Sequence, residues 1–103
     1  MSTVTAVASA TPIVCPRRPP GDGQPQRIIV WSKAGGDCAV RVYRPEGRIC
    51  RRVWDGHLMP NEIKTLFWDS ADEAGQSVAS GVYIAVFQDG NGAIHKARMA
   101  ILR

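Results

Sequence analysis

Few residues in this 103-residue chain have side chains suited to chemistry. His57 and His95 are far apart in sequence, one in an expected loop and one near the start of an expected strand. An exposed polar role suits each better than that of a general base. No G-x-S-x-G, H-E-x-x-H or P-loop pattern occurs. We therefore expect neither an enzyme nor a bound cofactor. Cys15, Cys38 and Cys50 are an odd number and contain no C-x-x-C pair, so they cannot all be bridged within one chain. One bridge between Cys38 and Cys50 is conceivable; two small buried thiols are the plainer reading. Three unpaired thiols would suit a reducing compartment. Asp69, Asp72 and Glu73 form an acidic cluster. Clustered carboxylates suit Ca²⁺, but this is not the spacing of an EF-hand loop. The same residues also suit turns, where an Asp side chain accepts backbone N–H groups.

The cations are more informative. Thirteen Lys and Arg against nine Asp and Glu give a net charge of +4. Arg41, Arg44, Arg48, Arg51 and Arg52 fall on one expected hairpin, with Arg17 and Arg18 upstream, and only Glu46 offsets them locally. They could form a solvated edge that prevents sheet-to-sheet pairing. They could equally form a docking surface for subunits of a larger protein complex or for an anionic lipid surface. Arginine favours bidentate pairing with carboxylate or phosphate. Aromatic residues are not interleaved as stacking platforms, which argues against single-stranded nucleic acid and leaves a nucleic-acid-binding sandwich as a weaker third reading.

The elements that would position these groups follow from patterning. The chain is 45% hydrophobic and 21% charged, ordinary for one globular domain. No apolar run approaches the roughly 20 residues of a membrane-spanning helix. The N-terminus lacks the basic segment and continuous apolar run of a secretory signal. The chain therefore either stays inside the cell, free or at a membrane, or is part of a longer secreted protein. All seven prolines lie in the first 60 residues, and most of them between Pro12 and Pro25. Residues 1–26 are thus expected to be an extended Pro/Gly-rich arm outside the core. Residues 27–103 read as short β-rich runs punctuated by turns. The expected strands are 27–32, 38–44, 48–54, 62–68, 81–88 and 93–102, with a loop over 55–61 and a polar connection over 69–80. Imperfect alternation of Ile49, Cys50 and Val53 implies a bulge. Strand 81–88 is apolar on both faces and should be central. Asp89-Gly90-Asn91-Gly92 is a strong hairpin turn. Part of residues 3–14 could add a seventh strand. The fold class is an all-β antiparallel sandwich of six or seven strands.

Two segments resemble a known family. Val42-Tyr43-Arg44-Pro45-Glu46-Gly47-Arg48-Ile49-Cys50 is similar to its V-Y-x-x-x-G-x-x-V hairpin. Trp68-Asp69, then Asp72 through Gly75 and on to Ser80-Gly81-Val82-Tyr83, is similar to its W-D…S-G-V-Y signature. The family is the Ig-like domain of flagellar hook-capping (FlgD-type) proteins. The C-terminal sorting domains of type IX secretion are closely similar. The likeness runs from about Ile28 to Arg103. It implies an Ig-like sandwich in which Trp68 caps the core, Asp69 and Asp72 hold turns, Gly75 and Gly81 permit positive φ, and Tyr83 opens the central strand. Ser70 stands where the family usually has glycine, and Cys38 and Cys50 are not hallmarks. The expected function is a non-catalytic accessory subunit docking onto a larger, membrane-associated assembly through its arm and basic hairpin. The alternative is a secreted sorting or cap-type module of a longer extracellular protein.

Overall fold

Period-two alternation decides which face of each strand turns inward. A computed structural model of the chain describes residues 12–17 and 25–102. Seven strands form: β1 (Ile13–Val14), β2 (Gln26–Trp31), β3 (Gly36–Tyr43), β4 (Ile49–Leu58), β5 (Ile63–Trp68), β6 (Gly81–Gln88) and β7 (Ile94–Ile101). They build two antiparallel sheets, ordered β1-β2-β5 and β4-β3-β6-β7. Ile28 and Val30 of β2, and Leu66 and Trp68 of β5, face one side of a shared core. Val40 and Val42 of β3, Tyr83, Ala85 and Phe87 of β6, and Met99 and Ile101 of β7 face the other. The chain changes sheet after β2, β4 and β5. This is the expected Ig-like β-sandwich, with β6 at an inner position of its sheet as its two apolar faces require.

The seventh strand comes from the proline-rich segment. Ile13 pairs with Val30, Val14 with Ile29, and Trp31 N–H donates to the Pro12 carbonyl at 3.1 Å. Ile13 is only 2% exposed, so this residue of the expected arm enters the core. The ladder cannot continue normally through Pro16, which has no N–H. The buried Gln26 side chain donates to the Pro16 carbonyl at 2.8 Å instead. A side-chain amide thus satisfies the Pro16 carbonyl just beyond the last ladder pair.

β4 differs from expectation in two ways. It continues past Trp54 to Leu58, through most of the expected loop. Asp55, Gly56 and His57 are turn-prone in isolation, but they pair with Ala39, Cys38 and Asp37 of β3, and fully buried Leu58 pins the end. There are also two register shifts, not one, and they leave Val53 and Cys50 as the extra residues. Trp54 lies across Gly56, where a Cβ would meet the indole ring at 2.5 Å. Lys64 of β5 sits 5.7 Å from the centre of that ring. This pair closes the β4–β5 side of the sandwich, and nothing in the local pattern announced it.

The bulge also settles the cysteines. Cys38 stands opposite Gly56, whereas Cys50 lies at the Val42–Tyr43 end of the same strand pair. About four residues of β3 separate them, roughly 14 Å at the usual rise, too far for a disulfide. All three thiols are free, Cys38 and Cys50 buried and Cys15 half-buried. Burial pushes the Cys15 thiol up to about 11 and raises the other two as well. Alkylation of the native protein by iodoacetamide at pH 8 should therefore be slow, and unfolding in guanidinium should release all three thiols to rapid labelling. Fast labelling of the native protein, followed by mass spectrometry, would contradict this.

The β6–β7 turn carries a titratable lock. Asp89 Oδ1 accepts Asn91 and Ala93 N–H at 2.9 and 3.0 Å, and Oδ2 lies 2.9 Å from His95 Nε2. The His95 hydrogen bond, helped by the backbone donors, holds the Asp89 carboxyl below the usual carboxylate range. A depressed folded value stabilises above the unfolded value and loses that contribution as pH falls through the folded one. Urea midpoints of the wild type should fall between about pH 5 and pH 2, and those of Asp89→Asn should fall less over the same window.

Candidate docking surface

The basic hairpin ends in a tight turn. Arg44 N–H donates to the Arg48 carbonyl at 2.8 Å and Gly47 N–H to the Arg44 carbonyl at 2.9 Å, with Gly47 at φ 101°. On the sequence only Glu46 lay close enough to offset its cations. The fold brings three more carboxylates. Arg41 pairs with Asp55 at 2.9 Å across the β3–β4 ladder. Arg44 Nη2 reaches Asp72 Oδ2 at 3.5 Å. Arg51 Nη1 donates to the Asp72 carbonyl at 2.8 Å and its Nε lies 4.0 Å from Glu73. Arg52 meets Glu73 twice, through its backbone N–H at 2.7 Å and its guanidinium at 3.6 Å. Arg48 holds Glu46 through both Nε and Nη2, at 3.2 and 2.9 Å. All five arginines are thus paired rather than a bare positive field, and three of them, Arg44, Arg51 and Arg52, form a network with the acidic turn. Arg48 and Arg52 keep most of their surface in solvent, 76% and 63%. Arg17 is exposed beyond β1, and Arg18 lies outside the described residues.

The acidic side of this network is the signature segment. Trp68 is 1% exposed, its Nε1 donates to the Ala71 carbonyl at 2.9 Å, and its ring meets Tyr83 edge-on at 5.7 Å. Asp69 Oδ1 accepts Ala71 N–H at 3.1 Å. Asp72 Oδ1 accepts both Ala74 and Gln76 N–H, at 2.9 and 3.0 Å. Gly75 N–H returns to the Asp72 carbonyl at 2.9 Å, with Gly75 at φ 83°. The carboxylates of Asp69, Asp72 and Glu73 thus accept from backbone N–H and guanidinium groups, the turn-building role. Tyr83 Oη donates to the Ala79 carbonyl at 2.7 Å, the tyrosine corner of Ig-type sandwiches.

One glycine expectation needs correcting. Gly81 does not take positive φ, and a Cβ there would meet only the Tyr83 ring at 3.8 Å, an ordinary contact. Its backbone is already extended as the first residue of β6. The left-handed position is instead Ser70, at φ 60°, where the similar family usually has glycine. His57 and His95 each face one carboxylate, Asp37 at 3.1 Å and Asp89 at 2.9 Å. They lie on opposite edge strands of the four-stranded sheet, β4 and β7; His57 shares a cleft of about 540 Å³ with Arg41 and Asp55, whereas His95 meets none of the five arginines.

Unequal involvement predicts unequal costs. Asp72→Ala removes the one oxygen that accepts two N–H groups, together with the Arg44 partner, and should cost about 1–2 kcal/mol. Glu46→Ala breaks only an exposed pair and should stay within about 0.5 kcal/mol. Guanidinium denaturation of both variants tests the ranking.

No family model matches the chain, and no curated protein does. Among solved structures, the chain is similar to PorZ of Porphyromonas gingivalis, described as an essential bacterial surface component of the type-IX secretion system. The two are 19% identical with a TM-score of 0.61, and the likeness covers 88% of this chain but only 11% of PorZ. At that identity the likeness establishes a shared fold, a β-sandwich that is a small part of a much longer protein.

Proposed function

We propose that the chain is a non-catalytic accessory module of a bacterial secretion assembly of the type IX kind, docking onto a larger protein of that assembly. The observation that carries this reading is the fold likeness to a segment of PorZ, joined to the W-D…S-G-V-Y signature. The signature residues also behave as scaffold. Trp68, Asp69, Asp72 and Tyr83 direct their polar atoms into the fold's own backbone. The hairpin rim is one surface left to offer. Arg48 and Arg52 point outward with spare guanidinium donors, and Arg17 extends the positive charge along the N-terminal segment. Such groups suit an acidic protein face, where rim charges set encounter rate and register more than affinity.

Native affinity purification of the tagged chain from a bacterium that carries type IX secretion tests this. A stoichiometric complex with a secretion component is expected, weakened by the Arg48→Glu, Arg52→Glu double variant and by removal of residues 1–11. Recovery of a lone monomer, or a complex indifferent to both changes, would sink the docking reading.

A further inference from the structure

The two sheets leave strand edges of very different character. β4 is broken by two bulges, and its Arg52 N–H is already taken by Glu73 at 2.7 Å. β1 has two residues. β5 turns Lys64 inward over Trp54, a common way of spoiling an edge for pairing. β7 is unlike these. It is eight residues long and in unbroken register with β6, from Gly81↔Ile101 to Gln88↔Ile94. Among the described residues β6 is its only ladder partner, and β1 lies near it without pairing.

β7 also carries unspent charge. Lys96 and Arg98 share its outward face and are exposed. Their neighbours on β6 are Val86 and Ile84, not carboxylates. Neither cation has an ion pair among the described residues, unlike the five arginines of the hairpin. Two residues of strand separate them by about 6.8 Å, the spacing of alternate side chains on any extended partner. A groove of about 420 Å³ lies beside this row, with Ile84, Val86, Ile94 and Lys96 on one side and the hairpin turn at Tyr43, Arg44 and Pro45 on the other.

We propose that the free edge of β7 accepts an extended acidic segment of a partner protein as an eighth strand. Backbone hydrogen bonds along β7 supply the attachment. Alternate carboxylates of the added strand lie directly beside Lys96 and Arg98, where opposite charges on paired strands attract. The same two cations exclude a second copy of this chain. Edge-to-edge pairing of two β7 strands would bring like charges together, which destabilises. The site uses a different strand and different cations from Arg48 and Arg52 of the rim, although its groove reaches the hairpin at Arg44, and it goes beyond the docking role proposed above.

The probe is a capped eight-residue peptide of alternating Val and Glu, titrated into the ¹⁵N-labelled full chain. We expect saturable shifts confined to residues 94–101 and their β6 neighbours, with slowed amide exchange along β7. The matching Val/Lys peptide should not bind. The Lys96→Glu, Arg98→Glu double variant should lose about tenfold or more in affinity for the Glu peptide, given two exposed ion pairs reversed, and gain binding of the Lys peptide. If that variant misfolds, the single Lys96→Gln and Arg98→Gln variants and a salt titration of the wild type report the same dependence. Shifts that map to β4 or β5, equal binding of both peptides, affinity indifferent to salt and charge, or no saturable shift at millimolar peptide each overturn the proposal.

Discussion

Trp68 is the side chain on which the rest of this sandwich depends. It ends β5, pairs across the sheet with Gln26, and meets Tyr83 of the opposite sheet edge-on. Its indole N–H then fixes the Ala71 carbonyl and so starts the turn that follows. One aromatic ring thereby ties a strand of each sheet to the crossover between them. An indole buried to 1% exposure must place its N–H on an acceptor, and the turn exists in the form that supplies one. Tyr83 obeys the same rule through the Ala79 carbonyl. The two ends of the connection between β5 and β6 are therefore both set by aromatic polar tips.

Much of the architecture was legible because strand patterning is local. The runs at 27–32, 38–44 and 81–88 lie close to the β2, β3 and β6 that form, though β6, apolar on both faces, did not reveal that Tyr83, Ala85 and Phe87 turn inward, and Asp89 through Gly92 formed the expected hairpin turn. What escaped depended on partners distant in sequence. The extension of β4 through Asp55 and Gly56 is imposed by β3, not by those residues. The second bulge reconciles inward-facing Cys50 with outward-facing neighbours, and only the ladder reveals it. The charge balance of the hairpin was misread for the same reason. Asp72 and Glu73 are remote along the chain but adjacent in space to Arg44, Arg51 and Arg52. The sequence pattern does not distinguish Gly81, which is extended, from Ser70, which takes a left-handed conformation.

The two segments that carried the family resemblance are bonded to each other. The hairpin motif supplies Arg44 and Arg51, and the signature motif supplies Asp72 as carboxylate and as carbonyl. This explains in physical terms why such motifs would occur together: each satisfies groups the other leaves open. It also narrows where recognition can occur. Residues spent on internal bonds are poor contacts for a partner, since breaking them costs what the new contact gains. The outward rims and free edges remain, and their charges are the part of the surface that the fold does not consume.

The Asp72 clamp has a consequence for rates. The β3–β4 and β6–β7 hairpins close across short turns and can form early, whereas the clamp joins residues of the first hairpin to the crossover that precedes the second. It cannot assemble until the sheets have docked. Contacts that appear after the folding barrier leave the speed of folding almost unchanged and act on the reverse step. The clamp is thus a brake on unfolding, one that prolongs the lifetime of the folded domain more than it hastens its formation.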